Sequence, residues 1–191
     1  MIYIALFGPP GAGKGTQAKK IIEKYNLEHI STGEIIRREI ADKTELGKQA
    51  ENIINKGHLL SDELVIALLE DTMSKSHNRK GFLLDGFPRN VKQAKDLDAM
   101  LAKRGASLNV LINIKAPSNC LMRRMLKRAG EEGRPDDTPE VIENRFKVYE
   151  NQTQPVEEYY KCKGITLDVD GNKDVDSVFE QIVQLLDTFN F

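Results

Sequence analysis

The chain has 191 residues, of which 40% are apolar and 30% charged, with a net charge of -1. That length supports one domain with a real core and small inserts, and the near-neutral charge supplies no general field toward nucleic acid or acidic membranes. The two cysteines, Cys120 and Cys162, form no CxxC pair, which argues against a zinc ribbon or a disulfide framework and fits free thiols in a reducing compartment. Ile2 to Phe7 is a short apolar run ending in Gly8-Pro9-Pro10-Gly11, the pattern of a strand buried on both faces of a parallel sheet. It lacks a charged leader and a cleavage site, and no later run approaches a membrane span, so a cytoplasmic protein is expected.

A helical pattern follows over 15–25, with Ala18, Ile21, Ile22 and Tyr25 on one face. Residues 32–60 read as two helices joined near Asp42-Lys43-Thr44, with no strand between them. Ser61, followed by Asp62 and Glu63, caps a helix over 61–76. Further strands are expected at 81–85, 108–114 and 164–169, and further helices at 91–104, 118–129, 139–163 and 175–189. Thr138 before Pro139 is a cap followed by proline at the first helical position, and Gly57 and Gly105 read as helix stops. Strands alternating with helices predict βαβ units and a parallel sheet covered on both faces. Residues 130–137, polar and rich in Gly and Pro, read as an exposed loop and a candidate lid.

Gly8-Pro9-Pro10-Gly11-Ala12-Gly13-Lys14 matches GxxxxGK between a buried strand and a helix. Glycines let the backbone turn its N–H groups inward onto phosphate oxygens, the helix N-terminus adds partial positive charge, and Lys14 supplies a full one. Gly15 stands where the general motif carries the Ser or Thr that binds Mg²⁺. Thr16 comes one place later, so either Thr16 helps or the metal is held through water and phosphate.

From Gly8 through Gly15-Thr16-Gln17 the chain resembles the nucleoside monophosphate kinases, and adenylate kinases most closely. Three further blocks match in order: Ser31-Thr32-Gly33-Glu34-Ile35-Ile36-Arg37, Asp85-Gly86-Phe87-Pro88-Arg89, and Gly133-Arg134-Pro135-Asp136-Asp137 followed by Arg145. The resemblance covers essentially the whole chain. It implies an α/β P-loop kinase core with a five-stranded parallel sheet flanked by helices. A helical monophosphate-binding insert would span about 31–60 and a short lid about 129–138, with no structural zinc. It implies reversible transfer of a phosphoryl group from ATP to AMP, giving two ADP, by a monomer with no nucleic-acid or membrane partner.

The catalytic residues implied are Lys14, Arg89, Arg124, Arg134 and Arg145. The ATP side would comprise Gly8, Gly11, Ala12, Gly13, Lys14, Gly15, Thr16, Arg124 and Arg128, with Arg124 against adenine and Arg128 reaching phosphate. Arg124 and Arg128 share a helix face, and a planar guanidinium suits both tasks. The AMP side would comprise Thr32, Arg37, Leu60, Gly86, Arg89 and Gln93. Asp85, ending a buried strand, would order Mg²⁺ through water. Asp136 and Asp137 are expected to pair with arginines or fix the lid hinge. Arg38, Arg123 and Lys127 read as surface, His29, His58 and His77 as structural or surface, and Pro88 as a site suited to a cis peptide. Thr32 and Gln93 favour AMP as acceptor, whereas Asn90 is more reminiscent of UMP/CMP kinases. A nucleotide sensor that kept the fold without the chemistry is the rival from another class.

Overall fold

A computed structural model of the chain describes residues 1–76, 80–132 and 137–189, with the Glu132 side chain also left out. Five strands form one parallel sheet: β1 (Ile2–Phe7), β2 (Glu28–Ser31), β3 (Gly81–Asp85), β4 (Val110–Lys115) and β5 (Thr166–Asp170), in the order β2-β3-β1-β4-β5. The alternation of β1 explains why it is central. Tyr3, Ala5 and Phe7 enter one apolar cluster and Ile4 and Leu6 the other, so both faces of the strand are covered. The first cluster packs under α4 (Asp62–Lys75), α5 (Val91–Lys103) and α8 (Pro155–Lys161). The second packs under α1 (Lys14–Tyr25) and α9 (Val175–Leu186).

β2 was not among the strands read from the pattern of apolar residues. Its four residues are Glu-His-Ile-Ser, and only Ile30 and Ser31 are buried, so an edge strand of this length carries almost no periodic signal. Its place comes from pairing: Glu28 to Ser31 lie alongside Phe82 to Asp85.

The two helices of the segment after β2 are α2 (Thr32–Ala41) and α3 (Glu45–Ile54), capped by the hydroxyls of Ser31 and Thr44. The Ser61 hydroxyl accepts from the Leu64 N–H and starts α4, and the Thr138 hydroxyl accepts from Val141 ahead of α7 (Pro139–Val148). Gly57 and Gly105 follow helix ends with φ of 75° and 66°. All of these match the signals in the sequence.

Two readings are corrected. The helix expected over 139–163 is interrupted: α7 is followed by a π-helical turn, Tyr149–Thr153, and then α8. Pro155 has no N–H and its ring would crowd the preceding turn, so the chain widens and Gln154 donates to the Tyr149 carbonyl instead. The segment expected to leave the helix at 130 stays helical to Glu132, because α6 (Ser118–Glu132) continues through Gly130. Among the described residues no helix is long and apolar enough to cross a membrane.

Candidate active site

All five strands run the same way, so their C-terminal ends open on one edge, where parallel α/β sheets bind ligands. The loop leaving β1 crosses β4 closely enough that a Cβ on Gly8 would lie 2.4 Å from the Ile114 carbonyl oxygen. Gly8, Gly11 and Gly13 adopt φ of 134°, 80° and 91°, a backbone that side chains strain. Ala12 is buried in the loop, whereas Gly15 and Thr16 are exposed on the first turn of α1.

Lys14 folds back over its own loop, donating from Nζ to the carbonyls of Gly8 (2.7 Å) and Pro9 (2.9 Å). Burial pushes its pKa down to about 8. Asp85 opposes that fall, while Arg89 and Arg128 add to it. Asp85 ends β3. Burial alone would raise its carboxyl, but His29, Lys14 and Arg89 hold it below the usual range. His29 Nε2 lies 3.7 Å from Asp85 Oδ2, beyond hydrogen-bond reach, and has no other partner among the described residues. The sequence alone reads His29 as structural or surface. Its position on β2, in register with β3, puts it beside the carboxylate.

Arg89 follows the turn after β3, where the Phe87–Pro88 peptide is cis. Its Nε donates to the Gly86 carbonyl at 2.6 Å, and the Thr32 hydroxyl donates to the same oxygen at 3.0 Å. Gly86 has φ of 77°, and a Cβ there would approach Arg89 Nη2 (3.0 Å) and Thr32 Oγ1 (3.1 Å). Burial, Arg145 and Arg37 pull the Arg89 guanidinium below its usual value, against the pull of Asp85. The π-helical turn supplies one more support, because the Thr153 hydroxyl donates to the Arg89 carbonyl at 2.7 Å. Thr153 carried no sequence signal; only the register of the widened helix brings it there.

Arg124 and Arg128 project from α6. Arg124 donates to the Gly171 carbonyl beyond β5 (2.9 Å), and Arg128 binds Asp137 through Nε (2.8 Å) and Nη2 (2.6 Å). Asp137 also accepts from Arg145 on α7, and its side chain is fully buried between the two guanidinium groups. The expected pairing of Asp137 with arginines is therefore present. Arg134 and Asp136 lie outside the described residues, as does His77. Arg38, Arg123, Lys127 and His58 are exposed.

On the acceptor side, Thr32 and Leu60 are buried and Arg37 is half-buried beside Gly33. Gln93 is 1% exposed, with both ends of its amide engaged. Oε1 accepts from the Arg89 N–H and Nε2 donates to Asp62, each at 2.8 Å. Asn90 caps α5 by accepting from the Gln93 N–H (2.7 Å) and donates to Asp62 (2.8 Å). Asn90 thus has a structural task that does not depend on the acceptor base.

Lys14, Arg89, Arg128, Arg145 and Arg37 therefore act on one another electrostatically around the strand ends, with Asp85 and Asp137 between them. Such a set suits a ligand carrying several negative charges. The single carboxylate of Asp85 fits a magnesium ion held mostly by phosphate oxygens and water.

The sequence is similar to known proteins along nearly its whole length. The family model described as "Adenylate kinase" matches residues 6–165. A protein of Azobacteroides pseudotrichonymphae named adenylate kinase is 49% identical over 187 residues, covering 98% of each chain. One of Bacteroides fragilis, with the same name, is 43% identical over 98% of this chain and 100% of its own. One of Stenotrophomonas maltophilia is 44% identical over 94% and 96%. On this evidence, the chain belongs to the adenylate kinase family.

Proposed function

We infer that the protein is an adenylate kinase, a phosphotransferase converting ATP and AMP reversibly into two ADP. The observation that carries this reading is the convergence of Lys14, Arg89, Arg128 and Arg145 on the end of the phosphate loop. Burial and mutual repulsion lower the pKa of Lys14 and Arg89 there, so these cations are poised for an anionic ligand.

In this reading Gly8, Gly11, Ala12, Gly13, Lys14, Gly15 and Thr16 hold the ATP phosphates, with Arg124 on the base and Arg128 on phosphate. Thr32, Arg37, Leu60, Gly86, Arg89 and Gln93 hold AMP. Magnesium, when bound with ATP, would screen the phosphate charge; Asp85 would hold it through water, and the Thr16 hydroxyl, one place after the general motif's metal-binding position, is the second candidate to assist. An AMP phosphate oxygen attacks the γ-phosphorus in line while the bond to the β–γ bridging oxygen breaks. The attacking phosphate is already ionised, so no general base is required. Lys14 and the arginines position the groups and stabilise charge as it moves. The insert (31–60) and lid (129–138), carrying Arg134, would close over the site and exclude water, which would otherwise accept the phosphoryl group.

A coupled assay of ADP formation from MgATP with AMP, UMP or CMP tests the assignment. Strong preference for AMP is the expected result. Preference for UMP or CMP would overturn the base assignment and leave the fold. Absence of transfer to all three, with ATP still bound, would mean a nucleotide sensor.

A further inference from the structure

Asp62 opens α4, where the helical segment after β2 rejoins the sheet, and its neighbours have a consequence for base selection. Its Oδ1 accepts from Asn90 Nδ2 and from Gln93 Nε2, both at 2.8 Å, and Oδ2 lies 3.4 Å from Lys92 Nζ. Burial would raise the Asp62 carboxyl, but the donors on Asn90, Gln93 and Lys92 hold it below the usual carboxylate range. At neutral pH it is therefore a carboxylate and can only accept hydrogen bonds. At the other end of the Gln93 amide stands the Arg89 N–H, which can only donate. The amide is consequently confined to one of its two orientations, nitrogen toward Asp62 and oxygen toward Arg89. The reverse orientation would set oxygen against carboxylate and N–H against N–H.

A freely turning amide can present its donor and acceptor in either order. It would then pair with a 6-aminopurine, which offers N6–H and accepts at N1, or with a 6-oxopurine, which accepts at O6 and offers N1–H. One remaining N–H on Nε2 and one remaining lone pair on Oε1, held in fixed places, match only one of these edges. We propose that Asp62 is a specificity-positioning residue that locks the Gln93 amide in the orientation that pairs with a 6-aminopurine and rejects a 6-oxopurine. The proposal rests on the reading that Gln93 faces the acceptor base. Asn90 strengthens the lock by filling a second site on the same carboxylate oxygen and by fixing the Gln93 backbone.

The test is steady-state kinetics at saturating MgATP with AMP or inosine monophosphate as acceptor, for the parent, Asp62→Asn and Gln93→Leu. Asp62→Asn is nearly isosteric, and the amide that replaces the carboxylate can turn to present NH₂ to a reversed Gln93. The expected result is a fall of about tenfold or more in the ratio of kcat/KM for AMP over inosine monophosphate, the scale of one charge-assisted hydrogen bond. The KM for MgATP should stay unchanged. Asp62→Ser, which also removes the charge and leaves a group able to donate or accept, should move the ratio in the same direction if Asp62→Asn folds poorly. Equal losses for both acceptors in these variants would make Asp62 merely structural and overturn the proposal. Gln93→Leu separates the premise from the inference. If its ratio collapses while the Asp62 variants keep theirs, only the lock is wrong. If its ratio equals the parent's, Gln93 does not read the base and the lock has no function.

Discussion

Replacing Lys14 by methionine should cut turnover severely without weakening the fold. The ordinary lysine pKa of 10.5 falls to about 8 in the folded protein. That gap corresponds to about 3 kcal/mol of unfavourable free energy for holding the charge in place at pH 7. Against it stand the two hydrogen bonds from Nζ to the Gly8 and Pro9 carbonyls, worth about 1.5–3 kcal/mol each when the donor is charged. The contributions oppose one another, so Lys14→Met without nucleotide should melt within a few degrees of the parent. Turnover, by contrast, should fall by a factor of about 100 or more, as when a preorganised donor to developing charge is removed. The pH dependence is the sharper check. Between about 8 and 10.5 the folded protein has lost the Lys14 proton while the unfolded chain keeps it. Unfolding therefore takes up a proton, and the parent gains stability as pH rises through this window, by up to about 1.4 kcal/mol per pH unit. Lys14→Met lacks that gain. Urea unfolding of both proteins from pH 7 to 10 measures the difference directly. Parallel profiles would show that Lys14 is not held among cations in a desolvated site, and near-normal turnover would refute the mechanism.

Three further outcomes are expected. Because nucleotide phosphates need Lys14 charged, the KM for MgATP should rise above pH 8, toward about tenfold per pH unit, and this rise should be absent in the residual activity of Lys14→Met. Asp137→Ala should cost about 2–3 kcal/mol of stability in urea unfolding, toward the lower end for a broken buried pair because Arg128 and Arg145 keep some solvent access. Gly86→Ala should strain a backbone at φ of 77° and displace Arg89 and Thr32, raising the KM for AMP about tenfold while leaving the KM for MgATP within about twofold.

What was legible in the sequence is what local chemistry determines. The phosphate loop, the caps at Ser61 and Thr138, the two helices after β2 and the central strands all depend on residues close together in the chain. The unread features depend on partners far away. Asp62 meets Asn90 across 28 positions, and Thr153 meets Arg89 across 64. His29 reaches Asp85 only because β2 pairs with β3, and β2 is too short and polar to announce itself as a strand. Similarly, the break at Tyr149–Thr153 needed Pro155 to be weighed as a helix breaker four residues downstream of Asn151. The residue types that carry binding were thus visible, and the residues that hold them in place were not.

The same distinction explains how the site can exist without nucleotide. A cluster of buried cations is self-repelling, and folding would disperse it unless something negative occupied the middle. Asp85 serves that role beside Lys14 and Arg89, and Asp137 serves it between Arg128 and Arg145. Asp137, however, belongs to the segment expected to be the lid, between α6 and α7, and it occupies guanidinium groups that those two helices carry, Arg128 and Arg145. A polyphosphate that binds there exchanges one carboxylate partner for several phosphate oxygens, so its affinity includes the cost of releasing Asp137. Removing that carboxylate should therefore act in opposite directions on the empty and loaded states. Asp137→Ala should unfold more easily alone, yet gain a larger increase in melting temperature from saturating MgATP than the parent does. An equal increase in both proteins would mean that Arg128 and Arg145 keep Asp137 when nucleotide binds, and that the phosphates are held by the loop and Lys14 without them.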